Sequence, residues 1–148
     1  QPKTLIRCLI EHIAKESEPE LAATLVDISN TPVSPELLPP SDDGTIEQRT
    51  EDVLGPYDLH DFFLFHFIKY GAPPNKILYL AEHAFRNEFQ PEFIRRCLDI
   101  FIRRFFQQQF KRSCMPDGPK VGTISLSPRG DWRMPSDACG TIWTDQIS

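Results

Sequence analysis

Nine of the sixteen Lys and Arg side chains fall between Glu92 and Arg133: Arg95, Arg96, Arg103, Arg104, Lys111, Arg112, Lys120, Arg129 and Arg133. Four acids (Glu92, Asp99, Asp117, Asp131) stand against them, so the stretch carries +5, while the rest, with seven cations and seventeen acids, carries −10. Such segregation suits an anionic ligand, because clustered cations neutralise phosphate or carboxylate oxygens. A solvated helix face docking on an acidic neighbour fits the same pattern, and composition alone leaves both open. Phe105, Phe106 and Phe110 interleave with the cations as in a base-stacking surface. They also lie at core-compatible helical spacing, and a pI near 5.3 is far from the basic balance of nucleic-acid-binding domains. Nucleic acid is not the expected partner.

Other chemistry is sparse. His12, His60, His66 and His83 all fall in helical patterns, and no two have the i, i+3 or i, i+4 spacing of a helical metal site. No nucleophile elbow, Walker loop or G-x-G-x-x-G turn is present. Asp42-Asp43 and Glu51-Asp52 could recruit Mg²⁺, though acidic loops are more often simply solvated. No catalytic residue and no protein-held metal are assigned. Cys8, Cys97, Cys114 and Cys139 form no C-x-x-C pair and read as reduced thiols of a cytoplasmic protein, Cys8 and Cys97 as small buried hydrophobes.

The elements that must position these residues are helices. Pro2 suits a first helical turn, and Leu5, Ile6, Leu9, Ile10 and Ile13 predict an amphipathic helix from Lys3 to about Lys15. Lys3 stands where the helix dipole favours acids over bases. Ser17 and Glu20 make an S-x-x-E capping box for a second helix to Asp27, with Leu21, Leu25 and Ile28 as its buried stripe. Four prolines between Pro32 and Pro40 predict an ordered loop, and the acidic Ser41–Asp52 stretch a mobile one. Gly55-Pro56 and Gly71 bracket a helix from Tyr57 to Tyr70 that is apolar on nearly every side, hence buried against several neighbours. Pro73-Pro74 opens a helix with Ile77, Leu78, Leu80, Ala81, Ala84 and Phe85 on its core side. Pro91 starts the longest, to about Phe110 or Arg112, with Asp99 spaced to pair with Arg95 and Arg103. After Ser113, closely spaced Pro and Gly residues predict an irregular tail, pinned by Ile124, Leu126, Trp132 and Trp143.

At 148 residues, 40% hydrophobic and 25% charged, the chain supports one globular core without a clear second domain. No apolar run approaches the ~20 residues of a membrane span, so no membrane partner is expected. The start, Gln1-Pro2-Lys3-Thr4, has neither an initiator Met nor a signal peptide, and reads as the middle of something longer.

The segments PKTLIRCLI (Pro2–Ile10), TPVSPELLP (Thr31–Pro39), EDVLGPYDLHDFFLFH (Glu51–His66) and QFKRSCMPDGPKVGTISLSPRGDWRMPSD (Gln109–Asp137) resemble the C-terminal end of glutamine-dependent NAD synthetases, in order and over essentially the whole chain. The resemblance implies a ligase in which ATP, with Mg²⁺, adenylates the nicotinate carboxylate of deamido-NAD and ammonia then displaces AMP. That ammonia comes from glutamine in a separate glutaminase domain. It also implies a mostly α piece, the helical C-terminal segment of an α/β (adenine nucleotide α-hydrolase-like) synthetase domain. Residues 1–113 would form its helical part, with a mobile loop over about 35–55 covering the substrates, and 114–148 its irregular tail.

Residue by residue, the resemblance makes Lys3 an ATP-phosphate ligand, Ser34 a second ATP contact and Lys111 the deamido-NAD ligand. Arg112, Lys120 and Arg129 inherit no role. The family's S-G-G-x-D-S phosphate loop and glutaminase constellation have no counterpart here, so the isolated chain is expected to be inactive, to bind no cofactor, and to leave apolar faces exposed. The full-length enzyme is expected to be a homo-oligomer. The alternative from another class is a non-enzymatic helical module that docks an acidic partner or nucleic acid through its basic helix; an S-G-G-x-D-S motif encoded upstream would favour the enzyme.

Overall fold

The structure is a computed structural model that describes residues 2–31, 54–120 and 122–147. Every regular element among them is a helix: α1 (Lys3–Glu16), α2 (Pro19–Asn30), α3 (Tyr57–Tyr70), α4 (Pro74–Ala84), α5 (Pro91–Gln107), α6 (Gln109–Cys114) and α7 (Thr141–Thr144). The chain divides into two compact units, Gln1–Asp58 and Leu59–Ser148. Ser34 and nearly all of the expected substrate-covering loop lie outside the described residues. No helix among the described residues is long and apolar enough to cross a membrane.

In the first unit α1 and α2 pack against one another. Pro2 stands just before α1 rather than inside it: its ψ of 137° is extended, and its carbonyl accepts the Ile6 N–H at 3.2 Å. The expected capping box does not form. Pro19 is itself the first residue of α2, and a residue before proline is held extended, which makes Glu18 the cap. Ser17 instead ends α1, its hydroxyl donating to the Ile13 carbonyl at 2.7 Å. The apolar stripes are not covered either. Leu5, Leu9, Ile13, Leu21, Val26 and Ile28 are all exposed, Cys8 with them, and Ala14 is the one buried residue of α1. These two helices carry apolar residues on exposed faces.

The second unit holds the core. Leu59, Phe63 and Phe67 repeat every four residues and form the buried stripe of α3, while Phe65 on the opposite side stays 47% exposed. Phe62, Leu64 and Ile68 also pack against the cluster, so the helix meets several neighbours, and only Phe65 and Tyr70 of its large apolar side chains stay exposed. Gly71 ends it with φ +58°, a left-handed value that a side chain would oppose. Ile77, Leu78 and Ala81 of α4 and Ile94, Cys97, Leu98, Phe101, Ile102, Phe105 and Phe106 of α5 complete the cluster. Helices α3 and α5 meet ring to ring, with Phe67 5.0 Å from Phe105 and 6.1 Å from Phe101, edge to face. His66 lies 4.4 Å from Phe62, and burial followed by the Lys76 charge pushes its pKa down.

The tail is irregular yet bound. Trp132 and Trp143 lie 5.4 Å and 5.1 Å from Phe67, and Leu126, Met134 and Ala138 pack on the same cluster. Gly140 is needed for space, because a Cβ there would fall 2.7 Å from the Phe106 ring. Arg95 does not pair with Asp99 as its spacing allows; its guanidinium donates to the Ile147 carbonyl at 2.7 Å and fastens the tail's end to α5. Two ion pairs close the tail on itself, Lys120 with Asp131 at 2.8 Å and Arg129 with Asp117 at 2.5 Å. Asp131 also accepts the Ser125 N–H at 2.8 Å, and the Lys120 hydrogen bond followed by that amide holds its carboxyl below the usual value of 3.8.

Three outcomes follow from this packing. Phe67→Ala removes the ring on which α5 and both tryptophans converge, and urea unfolding should register a loss of about 3–5 kcal/mol; Leu9→Ser, on an exposed face, should stay within about 0.5 kcal/mol. The exposed leucines and isoleucines of α1 and α2 should make the isolated chain self-associate, so that sedimentation shows mass rising with concentration and a charged residue in place of Leu9 weakens the effect. A carboxyl with a lowered pKa contributes stability that is present above its unfolded value and lost as pH falls through the folded one. The Ser125 amide resonance in NMR should therefore hold its bonded position until pH drops below about 3.8. Asp131→Asn should abolish that transition, and a midpoint above the ordinary aspartate value would contradict the pairing.

Candidate functional site around Lys111

Helix α5 stops at Gln107 although neither Gly nor Pro interrupts the sequence. Gln108 leaves helical geometry with φ −95° and ψ 11°, and a second helix of six residues follows. The single long helix expected through Phe110 or Arg112 is thus two helices, and Lys111 belongs to the short one. At the break, the side chains of Gln109 and Arg112 engage groups on both sides of it.

Gln109 follows Phe101 and Phe105 at the next i+4 position, which places a polar side chain in the core, 0% exposed. A buried amide must be hydrogen-bonded or costs about 1–3 kcal/mol, and Gln109 meets that demand at both ends. Its Nε2 donates to the Met134 carbonyl at 2.8 Å, and its Oε1 accepts from Arg112 Nε at 2.8 Å. Arg112 then donates through Nη2 to the Phe105 carbonyl in the last turn of α5 and lies 4.4 Å over the Phe105 ring. Burial pushes its guanidinium pKa down from the usual value, and an arginine remains charged nonetheless. A cation on the last carbonyls of a helix is favourable because those acceptors have no donor of their own. The far end of α6 is held as well: Arg129 donates to the Ser113 and Met115 carbonyls, and the Ser113 hydroxyl meets that of Ser136 at 3.1 Å.

Between these attachments Lys111 is exposed, next to the 51% exposed Phe110. Its ammonium makes no ion pair or hydrogen bond among the described residues, and Arg104 and Arg133 are alike in this. Much of the segment's positive charge is spent internally, Arg103 on Asp99 at 2.8 Å and Lys120, Arg129, Arg112 and Arg95 as above. What remains at Lys111 is an exposed cation on a fixed helix, able to receive a phosphate or carboxylate oxygen.

Lys3 belongs to the first unit, exposed in the opening turn of α1, its ammonium 5.7 Å from the centroid of the Tyr57 ring. Ser34 lies outside the described residues. Among those residues no group of three or more His, Cys, Asp or Glu side chains could hold a metal ion. Sequence reasoning missed Gln109, Arg112 and Arg129 as a connected set. The signal for Gln109 was present, a polar residue continuing an aromatic i, i+4 stripe; nothing in the spacing pointed to Arg129. A separate cleft of about 240 Å³ in the second unit is lined by Arg103, Phe106 and residues of the 136–144 stretch. There the Cys139 thiol lies 2.9 Å from the Thr141 hydroxyl, which, with the Thr141 backbone, lowers its pKa.

No protein-family model matches the chain. It is 41% identical over 166 aligned positions to glutamine-dependent NAD(+) synthetases of Mycobacterium bovis and Mycobacterium tuberculosis, and equally to that of Mycobacterium leprae. Each match covers 99% of this chain and 24% of the relative. The chain has fewer residues than the alignment has positions, so the relatives carry additional residues within the matched region. The chain thus spans about a quarter of the length of the glutamine-dependent NAD(+) synthetases it matches.

Proposed function

We propose that this chain acts as a helical segment of an enzyme that makes NAD from deamido-NAD, ATP and glutamine-derived ammonia, with Lys111 as its contact to deamido-NAD. The observation that carries the reading is the exposed ammonium of Lys111, without an ion pair among the described residues, on a helix tied at both ends, within a similarity that spans 99% of the chain. Lys3 and Ser34 are proposed as ATP contacts. Adenylation of a carboxylate gathers negative charge on phosphate oxygens, and fixed cations that meet that charge lower the barrier without reorganising. A lysine ammonium serves as a point charge for this purpose. Mg²⁺ finds no ligand set among the described residues. The alternative of an acidic or nucleic-acid partner on the basic helix draws less support, because Arg95, Arg103 and Arg112 are already engaged within the chain.

In the full-length synthetase, Lys111→Ala should raise KM for deamido-NAD or depress turnover by roughly tenfold to a hundredfold, the worth of one charged hydrogen bond. Steady-state kinetics indistinguishable from the parent enzyme would remove Lys111 from the site. The chain alone should not amidate deamido-NAD with ammonia and Mg-ATP, because part of a site cannot position the reactants; measurable product would refute this.

A further inference from the structure

We propose that Gln109, Arg112 and Arg129 are positioning residues for Lys111, holding the short helix that presents it. The inference rests on the reading of Lys111 as the deamido-NAD contact. It begins with length: α6 has six residues, and isolated helices below about 12 residues are marginal in water. Its geometry must come from outside, and the structure names the sources. Gln109 binds the tail at the Met134 carbonyl, Arg112 binds α5 at the Phe105 carbonyl, and Arg129 grips the carbonyls of Ser113 and Met115. Lys111 lies between the first two in sequence and points to none of these partners. The set fixes where α6 sits and leaves the lysine for a ligand. A flexible lysine on a loose turn would lose rotamer and backbone freedom on binding, and a braced helix has already lost the backbone part. Arginine is needed at position 112 because one planar fork serves two acceptors, the Gln109 Oε1 and the Phe105 carbonyl, which a lysine ammonium on a shorter reach does not match.

The test is a double-mutant cycle in the full-length synthetase. Arg112→Lys and Arg129→Ala are each made alone and together with Lys111→Ala, and KM and kcat are measured for deamido-NAD and for ATP. Each single variant should move the same parameter that Lys111→Ala moves, on the order of tenfold, with KM for ATP unchanged. Added to Lys111→Ala, neither should have a further effect, since there is no longer a lysine to aim. Effects that add to Lys111→Ala, that fall equally on ATP, or that are absent would overturn the inference. If Lys111→Ala itself is silent, the reading of Lys111 fails and this inference with it, whereas an effective Lys111→Ala with additive partners removes only the positioning role. Thermal melts monitor folding; the Arg129 side chain is 45% exposed, so that arm carries the test should Arg112→Lys unfold the protein.

Discussion

The carbonyl groups at the end of a helix have no partner inside it, and in this chain the Phe105 carbonyl takes the guanidinium of Arg112. Much of the second unit depends on that contact. The arginine reaches Phe105 only because the chain leaves helical geometry at Gln108, and its Nε is fixed by Gln109, whose other end holds the tail at Met134. One network thus joins the end of α5, the start of α6 and the irregular tail. It is partly buried, and a partly satisfied polar network in such a place costs more than an apolar core. Gln109 is satisfied at both ends, whereas the Oε1 of Gln108, at the break itself, is buried with no partner among the described residues.

Around it the hydrophobic packing is dense in rings. Phe63, Phe67, Phe101 and Phe105 stack along the line where α3 meets α5, and Trp132 and Trp143 extend the same cluster into the tail. Like the Gln108 Oε1, the Trp132 indole N–H is buried with no hydrogen-bond partner among the described residues, although its ring lies edge-to-face with Phe105 at 5.2 Å. Burial of the indole and its contacts outweighs that loss, since an aromatic side chain of this size contributes more by area than one unmade hydrogen bond removes. Among the described residues of the first unit there is no comparable centre.

Where local chemistry decided structure, the sequence was readable. Helix α3 runs from Tyr57 to Tyr70 as its flanking Gly55-Pro56 and Gly71 predict, because positive φ and missing donors are residue properties. Prolines opened α4 and α5 for the same reason. Where distant groups decided, the reading failed. Nothing at Gln108 itself announces a break, and one of the groups engaged beside it is a carbonyl at Met134, 25 residues on from Gln109. The exposed stripes of α1 and α2 show the same limit from the other side: a 3.6-residue period reports that a face is apolar, not what lies against it. At the candidate site, the resemblance supplied Lys111, Lys3 and Ser34, and periodicity supplied none of them. Within the Gln109–Asp137 segment that carries the resemblance, Lys120 of GPKV holds Asp131 of LSPRGDWR, and Arg129 closes back on Asp117.

The tail's attachments share a property beyond their strength. Arg95, Gln109, Arg112 and Arg129 all bind main-chain oxygens, at Ile147, Met134, Phe105 and Ser113 with Met115. Every residue type offers that oxygen, so the receiving positions are recognised by the path of the backbone and not by their side chains. Ser113 and Met115 could change identity and still be held, provided the chain keeps its course. The sequence constraint is therefore lopsided: strict at the four donors, loose at their acceptors. An irregular tail of this kind can drift in composition and still act as a mould for the helix end it encloses.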